Sequence, residues 1–158
     1  MVSLRMATID DVKTIQELNN GLFEYEMNND FDKYVKNWPL SDIGKDYFVD
    51  LIKNQFVIIA EIDKKIVGYL AGSIYDDATF SYYDGITAEM DNMFIKEEYR
   101  RFGIGSKFVN AFLVWAKNKN AKRIFVTASS KNENTIKFYK KMGFEPINTT
   151  LRLEINDN

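Results

Sequence analysis

A chain of 158 residues, 46% apolar and 15% aromatic, has enough material for one packed domain and argues against disorder. It contains neither cysteine nor histidine. That excludes disulfides, zinc–thiolate sites, thiol nucleophiles and histidine acid–base chemistry, leaving proton transfer to Asp, Glu, Tyr, Lys or water. The net charge of −2 hides an asymmetry: residues 21–95 carry fourteen acids against six bases, and residues 96–141 twelve bases against three acids. One half suits a cation, the other a polyanion.

The opening Met1-Val2-Ser3-Leu4-Arg5 lacks a secretory-signal pattern and no apolar run reaches membrane-spanning length, so a soluble, cytoplasmic protein is expected. Val2–Met6 alternates like a short strand. Thr8 offers a helix cap with Asp11 three residues on, and Val12, Ile15 and Leu18 line one helical face. Residues 31–54 predict one or two further helices, interrupted at Trp38-Pro39. Phe56–Ile62 and Ile66–Tyr75 are β-rich runs joined through Asp63-Lys64-Lys65 as a hairpin. A polar, aromatic-bearing loop follows from Asp76 to Gly85, then a strand through Ile95. Ile104, Phe108, Ala111, Phe112 and Trp115 recur at helical spacing. Arg123–Ala128 reads as a strand, and Ser130-Lys131-Asn132-Glu133 as a capping box opening a helix to Met142. Gly143 ends that helix, Phe144 returns to the core, and Leu151–Ile155 alternates as a last strand. The order β, α, α, β, β, β, α, β, α, β predicts a mixed sheet with helices on its faces, an α/β (α+β) architecture in a single domain.

The stretch Tyr99-Arg100-Arg101-Phe102-Gly103-Ile104-Gly105-Ser106 joins the strand ending at Ile95 to the next helix. First-turn N–H groups lack intrahelical partners and the helix dipole places positive charge there. With two glycines and two arginines alongside, the pattern predicts a diphosphate-type anion site. A Walker A loop is excluded because neither glycine precedes a lysine. A dinucleotide fingerprint is excluded because Phe108 stands where its third small residue belongs.

Arg100-x-x-Gly103-x-Gly105 resembles the acyl-CoA diphosphate loop of the GNAT superfamily of N-acyltransferases. Leu4–Thr8 with Asp11 resembles that family's opening strand and helix, and Ile66–Leu70 its third strand. Asn132 with Ile136–Phe144 resembles the segment beside the CoA thiol, so the likeness covers nearly the whole chain. It implies a central, mostly antiparallel sheet splayed at a β-bulged strand, flanked by about four helices. It further implies acetyl-CoA as co-substrate, without a metal. The implied cofactor contacts are Met93, Phe94 and Ile95 of the strand, Arg100, Arg101, Phe102, Gly103, Ile104, Gly105 and Ser106 of the loop, and Asn132 and Tyr139.

Each residue also has a plain structural reading. Gly103 and Gly105 could serve a tight turn, Arg100 and Ser106 could face solvent, and Asn132 either caps its helix or touches pantetheine. Tyr139 matches the family tyrosine that protonates the departing thiolate; as an alternative it is core packing. Two-residue alternation puts Glu89 and Asp91 on one strand face. Glu89 matches the basic glutamate of several members and Asp91 that of spermidine/spermine acetyltransferases, so either is expected to take the amine's proton, Glu89 preferred. The resemblance implies direct transfer in a ternary complex, and with no cysteine a cysteinyl thioester route is excluded.

For the acceptor, Glu24, Glu26, Asp30, Asp32 and the Asp76–Asp84 loop suggest a cationic amine: a polyamine, an aminoglycoside or a peptide amine. Neither nucleic acid nor membrane is expected as a partner, and a homodimer is compatible with the aromatic loop. An alternative of another class is a CoA-binding sensor or interaction module without catalysis.

Overall fold

The computed structural model describes residues 1–76 and 84–155. Five strands form one sheet in sequence order: β1 (Ser3–Met6), β2 (Phe56–Ile62), β3 (Lys65–Asp76), β4 (Ile86–Ile95) and β5 (Arg123–Val126). Helices α1 (Val12–Asn28) and α2 (Asp42–Asn54) cover one face, and α3 (Ile104–Asn118) and α4 (Glu133–Lys141) the other. The predicted α/β sheet with four flanking helices is the observed architecture.

Period-two patterning divides β2 between two cores. Phe56, Ile58 and Ala60 join Ile104, Phe108 and Phe112 of α3, while Val57 and Ile59 join Ile15 and Leu18 of α1 and Phe48 and Leu51 of α2. The β2–β3 hairpin closes on Asp63 and Lys64, both with positive φ (50° and 64°), as a tight two-residue turn requires. Thr8 and Asp11 form the expected capping box. It opens a single 3₁₀ turn, and Asp11 also receives both terminal nitrogens of Arg5 at 2.8 and 2.9 Å.

β1 to β4 pair antiparallel, and β4 pairs parallel with β5 after the crossover through α3. Two irregularities position the site. Ala71 pairs with Asn92 and Gly72 with Met90, leaving Asp91 as an extra residue, a β-bulge. Pairing of β4 with β5 ends at Met90 and Val126, so β4 continues to Ile95 with no strand paired on that side among the described residues.

One expectation, of one or two helices over residues 31–54, is met by a single helix, and two others are corrected. Residues 31–37 are irregular because α1 runs on to Asn28 and Asn37 adopts a left-handed conformation; only α2 forms, after a 3₁₀ turn at Trp38–Leu40. The cap of α4 is Asn132, whose Oδ1 accepts from Thr135 N at 3.2 Å, so Ser130 lies outside the helix start. Residues 151–155 form no strand: Leu151, Leu153 and Ile155 are exposed, and Arg152 and Glu154 are drawn to Asp32 and Lys33. Alternation alone makes no strand without an edge to pair with. Most of the predicted Asp76–Gly85 loop, residues 77–83, lies outside the described residues.

Candidate active site

The bulge governs which side chains meet. Ala88, Met90, Met93 and Ile95 pack with the α3 core, whereas Phe94 packs on the α1/α2 side. Strict alternation would place Asn92 and Phe94 with Met90; the extra residue shifts the phase and turns them to the opposite face. Asn92 Oδ1 accepts from Asn19 Nδ2 (3.2 Å), and its Nδ2 donates to the Tyr47 hydroxyl (3.0 Å). Asn19 also donates to the Tyr69 hydroxyl at 2.8 Å. This Tyr69–Asn19–Asn92–Tyr47 network, buried at Tyr69 and Asn19 and half-buried at Asn92 and Tyr47, fastens α1, α2 and β3 to the bulge. Sequence periodicity missed it, because the polar residue it turns on sits just behind an irregularity.

Asp91 stays near Glu89: Ser73, the cross-strand neighbour of Glu89, donates to Asp91 Oδ1 at 3.3 Å. Protein packed around the Asp91 carboxyl withdraws water and raises its pKa to about 6, with the Glu89 charge adding to that against the Ser73 hydrogen bond. The residue as a whole keeps an exposed surface, so its carboxyl is reachable from solvent. Tyr47 is pushed up to about 12, chiefly by burial, with the charges of Asp91 and Glu89 adding to it against the Asn92 hydrogen bond.

Lys96 N donates to Val67 O, so by antiparallel alternation Phe94 N–H also turns to β3, while Met93 and Ile95 N–H turn to the open side beyond β5. Beyond Ile95 the chain turns at Arg101 (φ 67°) and Gly103 (φ 75°) into α3. A Cβ on Gly103 would meet nothing within 4 Å. The space before the helix is open, and the left-handed backbone favours glycine there. The first intrahelical bond runs from Lys107 N to Gly103 O at 3.1 Å, leaving the amides of Ile104, Gly105 and Ser106 without helical partners. These groups fit a diphosphate.

The loop residues divide in role. The Ile104 side chain is core and Phe102 is exposed. A Cβ on Gly105 would come within 3.2 Å of the Phe138 ring, so this glycine also lets α4 approach α3. Arg100 is spent internally: its Nε donates to Ile95 O at 2.9 Å, and its guanidinium lies over the rings of Tyr25 (4.6 Å) and Phe94 (5.5 Å). Arg101 is exposed, and Asn132 is 6% exposed as the α4 cap.

On α4, Tyr139 is 7% exposed, packed against Phe144 and Phe138. Among the described residues its hydroxyl has no hydrogen-bond partner. Burial, and then the charge of Glu26, hold its pKa well above the ordinary phenol value, keeping it protonated. Glu26, at the end of α1, is half-buried and receives the Tyr34 hydroxyl. Burial raises its pKa against that hydrogen bond. The segment after α1 is tied across the opening by Ser129 Oγ to Phe31 O (2.8 Å) and Lys131 to Asp30 (2.6 Å).

Residues 15–144 match the sequence model of the Acetyltransferase (GNAT) family. The uncharacterized N-acetyltransferase MJ1207 of Methanocaldococcus jannaschii is 26% identical over 148 residues, covering 90% of this chain and 60% of that protein. The uncharacterized N-acetyltransferase YobR of Bacillus subtilis is 35% identical over 69 residues, 44% of this chain and 28% of that protein. The chain thus spans less than two thirds of the length of these curated relatives, 60% of one and 28% of the other. A tetramutant of the BH1408 protein from Bacillus halodurans superposes with a TM-score of 0.84 at 19% identity, covering 97% of this chain and 99% of that one. AAC(6′)-Iy, solved with the bisubstrate analog CoA-S-monomethyl-acetylneamine, gives 0.76 at 16% identity over 99% of each chain. At such identities the solved structures share the fold. Together with the family match over most of its length, the chain belongs to the GNAT acetyltransferase family.

Proposed function

We propose that this chain moves an acetyl group from acetyl-CoA to a primary amine within a ternary complex. The observation that carries the reading is the end of β4–β5 pairing at Met90, five residues before β4 itself ends, with the amides that start α3 lacking helical partners. Acetyl-CoA supplies the activated acetyl group. The Ile104, Gly105 and Ser106 amides hold its diphosphate, with Arg101 and the helix dipole adding positive charge. Met93 and Ile95 N–H groups hold the pantetheine arm and polarise the thioester carbonyl. Asp91 or Glu89 takes the proton from the acceptor ammonium, since only the free amine attacks. As the carbon–sulfur bond breaks, Tyr139, kept protonated by burial, gives its proton to the departing sulfur and is restored by the second proton that the nitrogen sheds in becoming an amide.

The acceptor is a cationic small molecule or peptide amine, drawn by the carboxylates and aromatic rings around the cleft. CoA release from acetyl-CoA across a panel of primary amines, with calorimetric titration of acetyl-CoA, tests the assignment. Uptake and turnover are expected. Uptake with no turnover on any amine favours a CoA-binding sensor, and no uptake removes both readings.

A further inference from the structure

Beyond the bulge, period-two patterning no longer decides which face of β4 is which. Met93, Phe94 and Ile95 are all apolar, and an apolar core lies on each side of the sheet. The observed register pairs Ala71 with Asn92, Leu70 with Met93 and Tyr69 with Phe94, and leaves Asp91 over. Drawing Asp91 into the ladder gives a competing register, with Asp91 opposite Ala71, Asn92 opposite Leu70 and Met93 opposite Tyr69. Asp91 would then stand where Asn92 now meets Asn19 and Tyr47, whose N–H and O–H can donate to a carboxylate. The acid and the three apolar residues have a place in either register.

Asn92 does not. In the competing register its amide enters the α3 core beside Leu70, which is fully buried in the cluster of Ile104 and Phe108. A buried amide without partners is costly. In the observed register its Oδ1 accepts from Asn19 and its Nδ2 donates to Tyr47, while Asn19, 1% exposed, also donates to Tyr69. Shape acts in the same direction: a Cβ on Gly21 would come within 3.1 Å of the Phe94 ring, so α1 leaves room for that ring on its own side. The register also sets the direction of the main chain. Lys96 N donates to Val67 O, so Phe94 N–H turns to β3 and those of Met93 and Ile95 to the open side; a shift by one residue exchanges the two sets.

We propose that Asn92 is a positioning residue: through its amide bonds to Asn19 and Tyr47 it holds the bulge at Asp91 and so keeps the Met93 and Ile95 N–H groups on the open side. It touches no reacting atom. Its bearing on catalysis rests on the acetyl-CoA reading above, in which those two N–H groups hold pantetheine and polarise the thioester carbonyl. An apolar side chain of similar length at this position has a place in either core. Both registers then become populated, and the amides are divided between the two directions.

The test is amide hydrogen exchange, read by NMR on the isotope-labelled chain without acetyl-CoA, in wild type, Asn92→Leu, Asn92→Ala and Asn92→Asp. Wild type is expected to exchange slowly at Phe94 and Lys96 and fast at Met93 and Ile95. In Asn92→Leu, protection at Phe94 should fall about tenfold or more while that at Met93 and Ile95 rises, or a second set of signals should appear for these residues. Asn92→Ala shifts the pattern in the same direction and serves where the leucine variant does not fold. Asn92→Asp still accepts from Asn19 and Tyr47 and is costlier still in the α3 core, so it keeps the wild-type order. The wild-type order in both apolar variants overturns the inference, and so does a uniform loss of protection across the sheet, which plain destabilisation would give. Turnover at saturating acetyl-CoA, across the panel of primary amines, is expected to fall about tenfold or more in Asn92→Leu and to stay closer to wild type in Asn92→Asp. Exchanged protection with unchanged turnover overturns the reading of those amides as partners of the thioester and leaves the register assignment standing, so the two failures are distinguishable.

Discussion

The guanidinium of Arg100 lies 4.6 Å from the ring centre of Tyr25 while its Nε donates to Ile95 O. An arginine beside a glycine-rich helix start is thus a clamp between the end of α1 and the end of β4. Cation–π contact and a charge-assisted hydrogen bond at a partly buried position together contribute about 1–2 kcal/mol. Arg100→Ala is expected to lower Tm by about 3–6 °C in the ligand-free protein, measured by calorimetry. An unchanged Tm would show that the clamp does not contribute to stability.

Tyr139→Phe removes the hydroxyl and keeps the ring against Phe144. A general acid typically contributes about 10²–10⁴-fold, so kcat should fall by at least about tenfold with the acetyl-CoA dissociation constant unchanged. Full activity in this variant removes Tyr139 from the mechanism.

The Asp91 carboxyl, raised to about 6 by its surroundings, must be ionised to accept a proton. If Asp91 is the base, kcat/KM rises as pH increases through about 6, and the limb vanishes in Asp91→Asn. Survival of the limb in that variant assigns the base elsewhere, with Glu89 next to test.

Asp11 is held down to about 2, first by the Arg5 hydrogen bonds and also by those from Thr8. Its folded pKa lies below its unfolded value near 3.8, so its stabilisation is present above that value and is lost as pH falls towards 2. Asp11→Ala should cost about 1–2 kcal/mol at neutral pH, as for a lost cap. The gap to wild type should narrow in unfolding experiments below pH 4.

Gly103→Ala adds a methyl group to open space but imposes it on a left-handed backbone. A stability loss of about 1 kcal/mol is expected, with weaker acetyl-CoA binding from crowding of the amides. Retained affinity would argue that the diphosphate lies elsewhere.

The fold was legible wherever periodicity and caps decide it. The split faces of β2, the Asp63-Lys64 turn and the spacing of Ile104, Phe108 and Phe112 are all written as local pattern. The loop at Gly103 was legible because only a few backbone arrangements require glycine at a helix start. Three things were not. A bulge leaves no local mark and was expected in β4 only from the family resemblance, so Asn92 and its partners on α1 and α2 lay outside any alternation argument. The clamp of Arg100 depends on Tyr25, seventy-five positions away in sequence. The alternation at Leu151–Ile155 looks like a strand, yet its polar members pair with Asp32 and Lys33 instead of a sheet edge.

One extra residue in β4 also determines how this strand can vary. Excising Asp91 would leave an even ladder, Gly72 to Met90 and Ala71 to Asn92, with every later side chain keeping its face; drawing Asp91 into the pairing instead would rotate all that follows by half a turn, driving Asn92 into the α3 core and Met93 against Asn19. Exchanging a side chain within the held register is a local event, whereas drawing the bulged residue into the ladder rewrites both sides of the sheet at once.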